Sequence, residues 1–166
     1  KLKKIELLVM DVDGTLTDGA MYYSSEGEEL KRFSTRDGMG ITLLRKAGIK
    51  SAIITSENSE IALARAKKLK IDIVKLGSHD KSSSIKEIAE KLSLKLENVA
   101  YIGDDINDYH VMKLCGASAC PGDSTAAIKQ AADYICRNNG GNGAVREFSE
   151  MILISKDKSV ILSENW

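Results

Sequence analysis

Six short apolar runs, most of them followed by a stretch of helical periodicity, constrain this chain more than any single residue does. The runs are "IELLVMD" (5–11), "KSAIITS" (50–56), "IDIVKL" (71–76), "NVAYIGD" (98–104), "SAC" (118–120) and "DYICR" (133–137). Helix-like patterns lie near 38–48, 58–70, 81–93, 106–115, 124–132 and 143–154. Apolar strands that alternate with amphipathic helices belong in a parallel sheet covered on both faces. The expected fold is α/β, a doubly wound parallel sheet, with residues 1–166 forming a single domain. Sites in such sheets lie beyond the carboxyl ends of the strands.

One segment breaks the alternation. "AMYYSSEGEELKRFS" (20–34) has two β-like arms around a Ser-Ser-Glu-Gly turn and reads as a hairpin inserted after the first strand. A lone hairpin is marginal in water and leaves exposed edges, so this one is expected to pack against something else. Only about forty residues separate "DVDGT" from the second strand's end, and the hairpin occupies part of them, which leaves no room for a large cap.

The polar residues at the strand ends converge. The first strand delivers Asp11 and Asp13, and the second delivers Thr55 and Ser56. Lys81 opens the helix after the third. The fourth delivers Asp104 and Asp105, with Asn107 and Asp108 close behind. Two carboxylates as close as Asp11 and Asp13 repel each other unless a cation or a shared proton holds them. Three carboxylates without His or Cys make a hard oxygen site that suits Mg²⁺, shared among Asp11, Asp13 and Asp104. A carboxylate can also attack phosphorus, and the transferring group then needs donors and positive charge around its oxygens. Thr55, Lys81 and backbone N–H groups after the first strand are placed to supply them.

These residues carry a resemblance. "DVDGTLTD", a Thr closing the second strand, a lone Lys and "GDDIND" resemble, in order and spacing, the four motifs of the haloacid dehalogenase-like phosphatases. The resemblance implies a Rossmann-like fold with Asp11 as nucleophile. It makes Asp13 the general acid, which then activates water. Thr55, Ser56 and Lys81 would bind the phosphoryl group. Asp11, the Asp13 carbonyl and Asp104 would hold Mg²⁺, supported by Asp105 or Asp108. The hairpin, "RDGMGI" (36–41) and "GGNGAVRE" (140–147) further resemble the capless phosphatases of phosphorylated ulosonic acids. Members of that family are homotetramers whose hairpins assemble together and whose C-terminal segment can cover a neighbouring site. Thr35, Glu57, Arg65, Lys68 and Asn107 stand where the substrate would bind. Octulosonate 8-phosphate phosphatases usually carry Gly-Arg after the second-strand Thr and Arg in the glycine-rich tail; here Ser56-Glu57 and Asn142 occupy those places. That departure directs the reading to 3-deoxy-D-glycero-D-galacto-nonulosonate 9-phosphate. The 3-deoxy-manno-octulosonate 8-phosphate and N-acetylneuraminate 9-phosphate are the alternatives. Glu57 and Lys68, eleven residues apart, fall near one face of the helix expected over 58–70. Glu57 would accept from sugar hydroxyls, with Lys68 or Arg65 on a carboxylate.

A reading from another class is a receiver-like phosphoacceptor domain, which also uses an acidic Mg²⁺ pocket, a Thr or Ser and a Lys. Receivers place the phosphoacceptor after the third strand, where this chain has "KLGSHD", and they lack an acid two residues beyond it. Composition narrows the partners. Lys plus Arg equals Asp plus Glu, 24 each, so no net charge draws the chain to nucleic acid or membrane. No apolar stretch approaches a membrane span, and the run after "KLKK" is too short and acidic for a signal peptide. Cys115, Cys120 and Cys136 lack metal-site spacing and are expected to be reduced and mostly buried in a cytoplasmic protein. His79 and His110 belong to no metal spacing. "NGGNG" (139–143) is either a flexible connection or a substrate cover.

Overall fold

The computed structural model describes residues 1–165. The six expected strands are β1 (Leu7–Met10), β4 (Lys50–Ile54), β5 (Ile73–Lys75), β6 (Val99–Ile102), β7 (Ala117–Cys120) and β8 (Tyr134–Ile135). They form one parallel sheet in the order β5-β4-β1-β6-β7-β8. The hairpin is β2 (Tyr22–Ser24) with β3 (Gly27–Leu30), antiparallel and separate from the main sheet. A bridge between Thr17 and Phe33 closes its base.

Side chains of each central strand alternate between two cores. Leu8 and Met10 join Ile53, Ile102, Ile41, Leu44, Phe148 and Ile152 on one face. Leu7 and Val9 join Ile54, Tyr101, Ile85, Ile88 and Val111 on the other. Because both faces are covered, β1 and β6 are buried at every position and show no polar alternation. The first face is covered by α1 (Thr35–Lys46), α2 (Glu60–Leu69) and α6 (Ala144–Ser155), the second by α3 (Lys81–Lys91), α4 (Tyr109–Leu114) and α5 (Ala126–Ala131). Among the described residues no helix is long and apolar enough to cross a membrane.

The starts of α1, α2 and α3 are set by short polar side chains. Ser34 Oγ accepts from the N–H groups of Arg36 and Asp37, Ser59 Oγ from Ala62, and Asp80 Oδ1 from Ser83. The cap of α6 comes from elsewhere. Its N-cap is Gly143, and buried Asp37 of α1 reaches over, accepting from Gly143 N at 3.3 Å and Arg146 N at 2.9 Å. Cys120 and Cys136 are buried, Cys115 is half-buried, and all three are free. Burial pushes the Cys115 thiol up to about 12, which keeps it unreactive near neutrality.

Candidate active site

The chain builds the sheet outward from β1 through β4 and β5, then returns to lay β6, β7 and β8 on the other side. Adjacent β1 and β6 therefore mark the point where strand order reverses, and a crevice opens beyond their carboxyl ends. Asp11 emerges from one and Asp104 from the other. A cavity of about 360 Å³ lies there, lined by Asp11, Asp13, Met21, Thr55, Ser56, Glu57, Asp104, Asp105, Ile106 and Asn107.

The turn after β1 is wound tightly. The Val12 carbonyl accepts from the N–H groups of Thr15, Leu16 and Thr17 at 2.9–3.2 Å. Gly14 takes φ +88°, and a Cβ there would overlap the Asp104 carboxylate, so only glycine lets the two loops approach. Thr15 Oγ1 donates to Asp104 Oδ1 at 3.3 Å. From the far side of the chain Gly141 N donates to the Thr15 carbonyl at 3.0 Å, while a Cβ on Gly140 would overlap the Gly14 carbonyl. The glycine-rich segment is thus no free connection. It braces the loop that carries Asp13.

Lys81 is buried and joins two acids, with Nζ 2.6 Å from Asp11 Oδ1 and 2.7 Å from Asp108 Oδ1. Asp108 also accepts from Tyr101 OH at 2.7 Å and, through Oδ2, from the N–H groups of Asp104 and Asp105. Both of its oxygens are occupied by protein donors, so it holds the Asp104 loop rather than offering a free ligand atom. Asp11, Asp104 and Asp108 bring carboxylate oxygens within 4.8 Å of one another. Such a cluster, with no nitrogen or sulfur donor, fits Mg²⁺. The protein's cofactor is Mg²⁺, and Asp11 and Asp104 are the residues whose oxygens would hold it.

Burial, repulsion from Asp108 and, to a smaller degree, from Asp104 raise the Asp11 carboxyl well above the usual range, against the opposing effect of Lys81. Burial followed by Asp108 and Asp105 pushes Asp104 up to about 7. Without a metal, Asp104 therefore keeps a proton that it would shed near 4 in the unfolded chain. Its contribution favours the metal-free fold at acid pH and is lost as pH rises through about 7. Because the ion must displace that proton, affinity for Mg²⁺ rises with pH by up to about tenfold per unit below 7. Titration calorimetry at pH 6, 7 and 8 checks this. An affinity flat over that range would contradict it.

The remaining site expectations divide. Thr55 is buried at the cavity wall, and its Oγ1 accepts from Glu57 N at 3.2 Å, which leaves its O–H to donate elsewhere. Ser56, Glu57 and Asn107 also line the cavity. Thr35 faces a separate cleft with Arg32, Phe33 and Asn142. Arg65 donates to the Ser34 carbonyl at 3.1 Å and stacks over Phe33, bracing the start of α1. Lys68 is exposed on α2, away from the cavity. The shared face of Glu57 and Lys68 is not realised. Ser59 caps α2, so Glu57 lies in the turn before the helix.

The sharing expected between Asp11 and Asp13 is also corrected. The Asp13 carboxylate turns from the acidic cluster to Lys31, 2.5 Å away at the exit of the hairpin, so the two acids have separate ammonium partners. Among the described residues the acidic cluster is Asp11, Asp104 and Asp108, without the Asp13 carboxylate. Lys31, Tyr101 and Met21 escaped the sequence reading, since none belongs to a motif at a strand end.

Residues 39–148 match the model of the haloacid dehalogenase-like hydrolases. The chain is also 40% identical over 158 residues to a 3-deoxy-D-manno-octulosonate 8-phosphate phosphatase of Escherichia coli K12, covering 95% of this chain and 84% of that one. The chain is a haloacid dehalogenase-like hydrolase. Solved structures agree with the assignment. The cobalt-bound Haemophilus influenzae octulosonate phosphatase superposes with a TM-score of 0.93 at 37% identity, over 95% of this chain and 92% of that one. A Moraxella catarrhalis relative, in complex with magnesium, phosphate and KDO, gives 0.91 at 40% identity, over 94% and 90%. This hydrolase is therefore a phosphatase, and the receiver reading falls.

Buried Lys81 is the most exposed to test by stability. Lys81→Met strands Asp11 and Asp108 without their cation, and breaking a buried pair this way costs about 3–5 kcal/mol. The loss is largest above neutrality and shrinks at pH 5.5, where Asp11, which burial holds well above the usual carboxylate range, takes up a proton. Urea unfolding in EDTA at the two pH values measures it, and equal losses at both would refute the argument.

Proposed function

We propose that this hydrolase releases phosphate from a phosphorylated ulosonic acid through an aspartyl-phosphate on Asp11, and that its substrate is 3-deoxy-D-glycero-D-galacto-nonulosonate 9-phosphate. Asp11 attacks phosphorus from the floor of the cavity, and the Thr55 hydroxyl and Lys81 hold the phosphoryl oxygens. Asp13 gives its proton to the departing sugar oxygen, then takes one from the water that cleaves the intermediate. Asp11 and Asp104 would hold Mg²⁺, which would supply positive charge to the transferring phosphoryl group.

One observation carries the choice of sugar: Glu57, a carboxylate, stands at the cavity wall beside Thr55 and Ser56. A carboxylate there accepts from free hydroxyls and disfavours a bulky acylamino group or a second acid. Leaving it without its hydroxyl partner costs about 1–3 kcal/mol, or roughly ten- to hundredfold in kcat/KM. The relatives' names favour 3-deoxy-D-manno-octulosonate 8-phosphate, so that compound is an arm of the test. Mg²⁺-dependent phosphate release is measured for the nonulosonate 9-phosphate, its N-acetylated counterpart and the octulosonate 8-phosphate. The first should lead, and Glu57→Ala should shrink its lead over the N-acetylated compound. A ratio near one in the unaltered protein, or one that Glu57→Ala leaves unchanged, would overturn the assignment.

We infer also that the hairpin is an assembly element, in a homotetramer. Tyr23 and Leu30 are 67% and 62% exposed on it, with Tyr22 and Met21 partly so, which is apolar surface seeking a partner. Replacing Tyr22, Tyr23 and Leu30 by Ser should yield smaller particles in sedimentation. An unaltered chain already monomeric at micromolar concentration would refute it.

A further inference from the structure

The hairpin does more than project from the domain, because Lys31, directly after its second strand, reaches back into the site. The Lys31 side chain is 0% exposed, an uncommon place for a lysine, and its Nζ lies 2.5 Å from Asp13 Oδ1 and 2.6 Å from Glu28 Oε1. The two contacts are not equivalent. The bond to Asp13 is an aligned hydrogen bond, whereas Glu28 Oε1 has no aligned donor and serves as a nearby counter-charge. Asp13 is left asymmetric as a result. Its Oδ1 is tied to the ammonium, while Oδ2 is buried without any protein donor, and the residue lines the cavity beside Asp11 and Thr55.

A carboxylate free to rotate would present either oxygen, or neither, to a leaving group. One held by a single oxygen on a buried cation presents the other in a fixed direction. We propose that Lys31 is a positioning residue that pins Asp13 through Oδ1, so that Oδ2 carries the proton to the departing oxygen and later receives one from water. This rests on the reading of Asp13 as general acid. It gives the hairpin a second role, since the element offered for assembly also sets the acid, with Met21 on its entering arm at the cavity wall and Lys31 on its leaving arm behind Asp13.

The test compares leaving groups. The octulosonate 8-phosphate and the nonulosonate 9-phosphate release primary alcohols, which need a proton; p-nitrophenyl phosphate releases a phenolate that needs little help. Misplacing a catalytic group by about 1 Å can cost on the order of a hundredfold. Lys31→Met should therefore lower kcat on the better sugar substrate by about ten- to hundredfold, and at least about tenfold more than on the aryl ester. Lys31→Gln, which keeps one donor, should lose less, and Lys31→Arg, which keeps the cation, least. If the Met variant does not fold, the Gln and Arg variants carry the ordering alone. Asp13→Asn is the control. If it shows the leaving-group dependence while the Lys31 variants lose equally on both ester types, Lys31 is only structural and the proposal fails. If Asp13→Asn itself shows no such dependence, the general-acid reading fails, and the role of Lys31 fails with it.

Discussion

Asp11→Asn should abolish phosphate release, by about 10⁴-fold or more, while leaving the fold intact. An amide nitrogen or oxygen cannot attack phosphorus and leave as a carboxylate, so no covalent intermediate forms. The fold survives because the amide oxygen can still accept from Lys81, which keeps its second partner, Asp108. The carboxylate that is removed was itself costly to bury in the metal-free protein. Phosphate release followed over hours, beside a urea unfolding curve in EDTA, measures both statements. Near-normal turnover would remove Asp11 from the role of nucleophile.

Asp13→Asn should fail differently. Its loss is that of a proton donor and acceptor, about 10²–10⁴-fold on a sugar phosphate. The amide can still hydrogen-bond Lys31, so the hairpin keeps its place, but it has no proton to give. Because the same residue activates water, any phosphorylated enzyme that forms should persist. Trapping with radiolabelled phosphate by acid quench would reveal it. A loss below tenfold on a primary alkyl phosphate would count against the role.

The fold was open to inspection in the sequence because its strands are buried on both faces. Leu7 to Met10 feed two cores in alternation, leaving an unbroken apolar run, and α1, α2 and α3 each open on a capping side chain near where their periodicity begins. Asp11, Thr55, Lys81 and Asp104 could be named because a doubly wound sheet delivers strand ends to one edge. What stayed hidden depends on contacts without a period. Lys31 meets Asp13 across a hairpin whose path no spacing rule fixes. Asp37 caps a helix 106 residues later, and nothing within α6 announces the debt, since its own N-cap is a glycine. The misplacement of Glu57 has a local cause: Ser59, two residues beyond it, accepts from the N–H three residues on and starts the helix there.

The brace beneath the nucleophile loop orders events during synthesis. β1 and Asp11 leave the ribosome early, and the partners of β1, β4 and β6, follow in turn. Yet the loop that carries Asp13 has no backing at the Thr15 carbonyl until Gly141 has emerged, with Arg32 on the Gly141 carbonyl and Asp37 on Gly143 two residues further on. A nascent chain can therefore own every acid of the site and still lack the posture that makes them reactive. Backing for the first loop therefore waits on a residue far along the chain, Gly141.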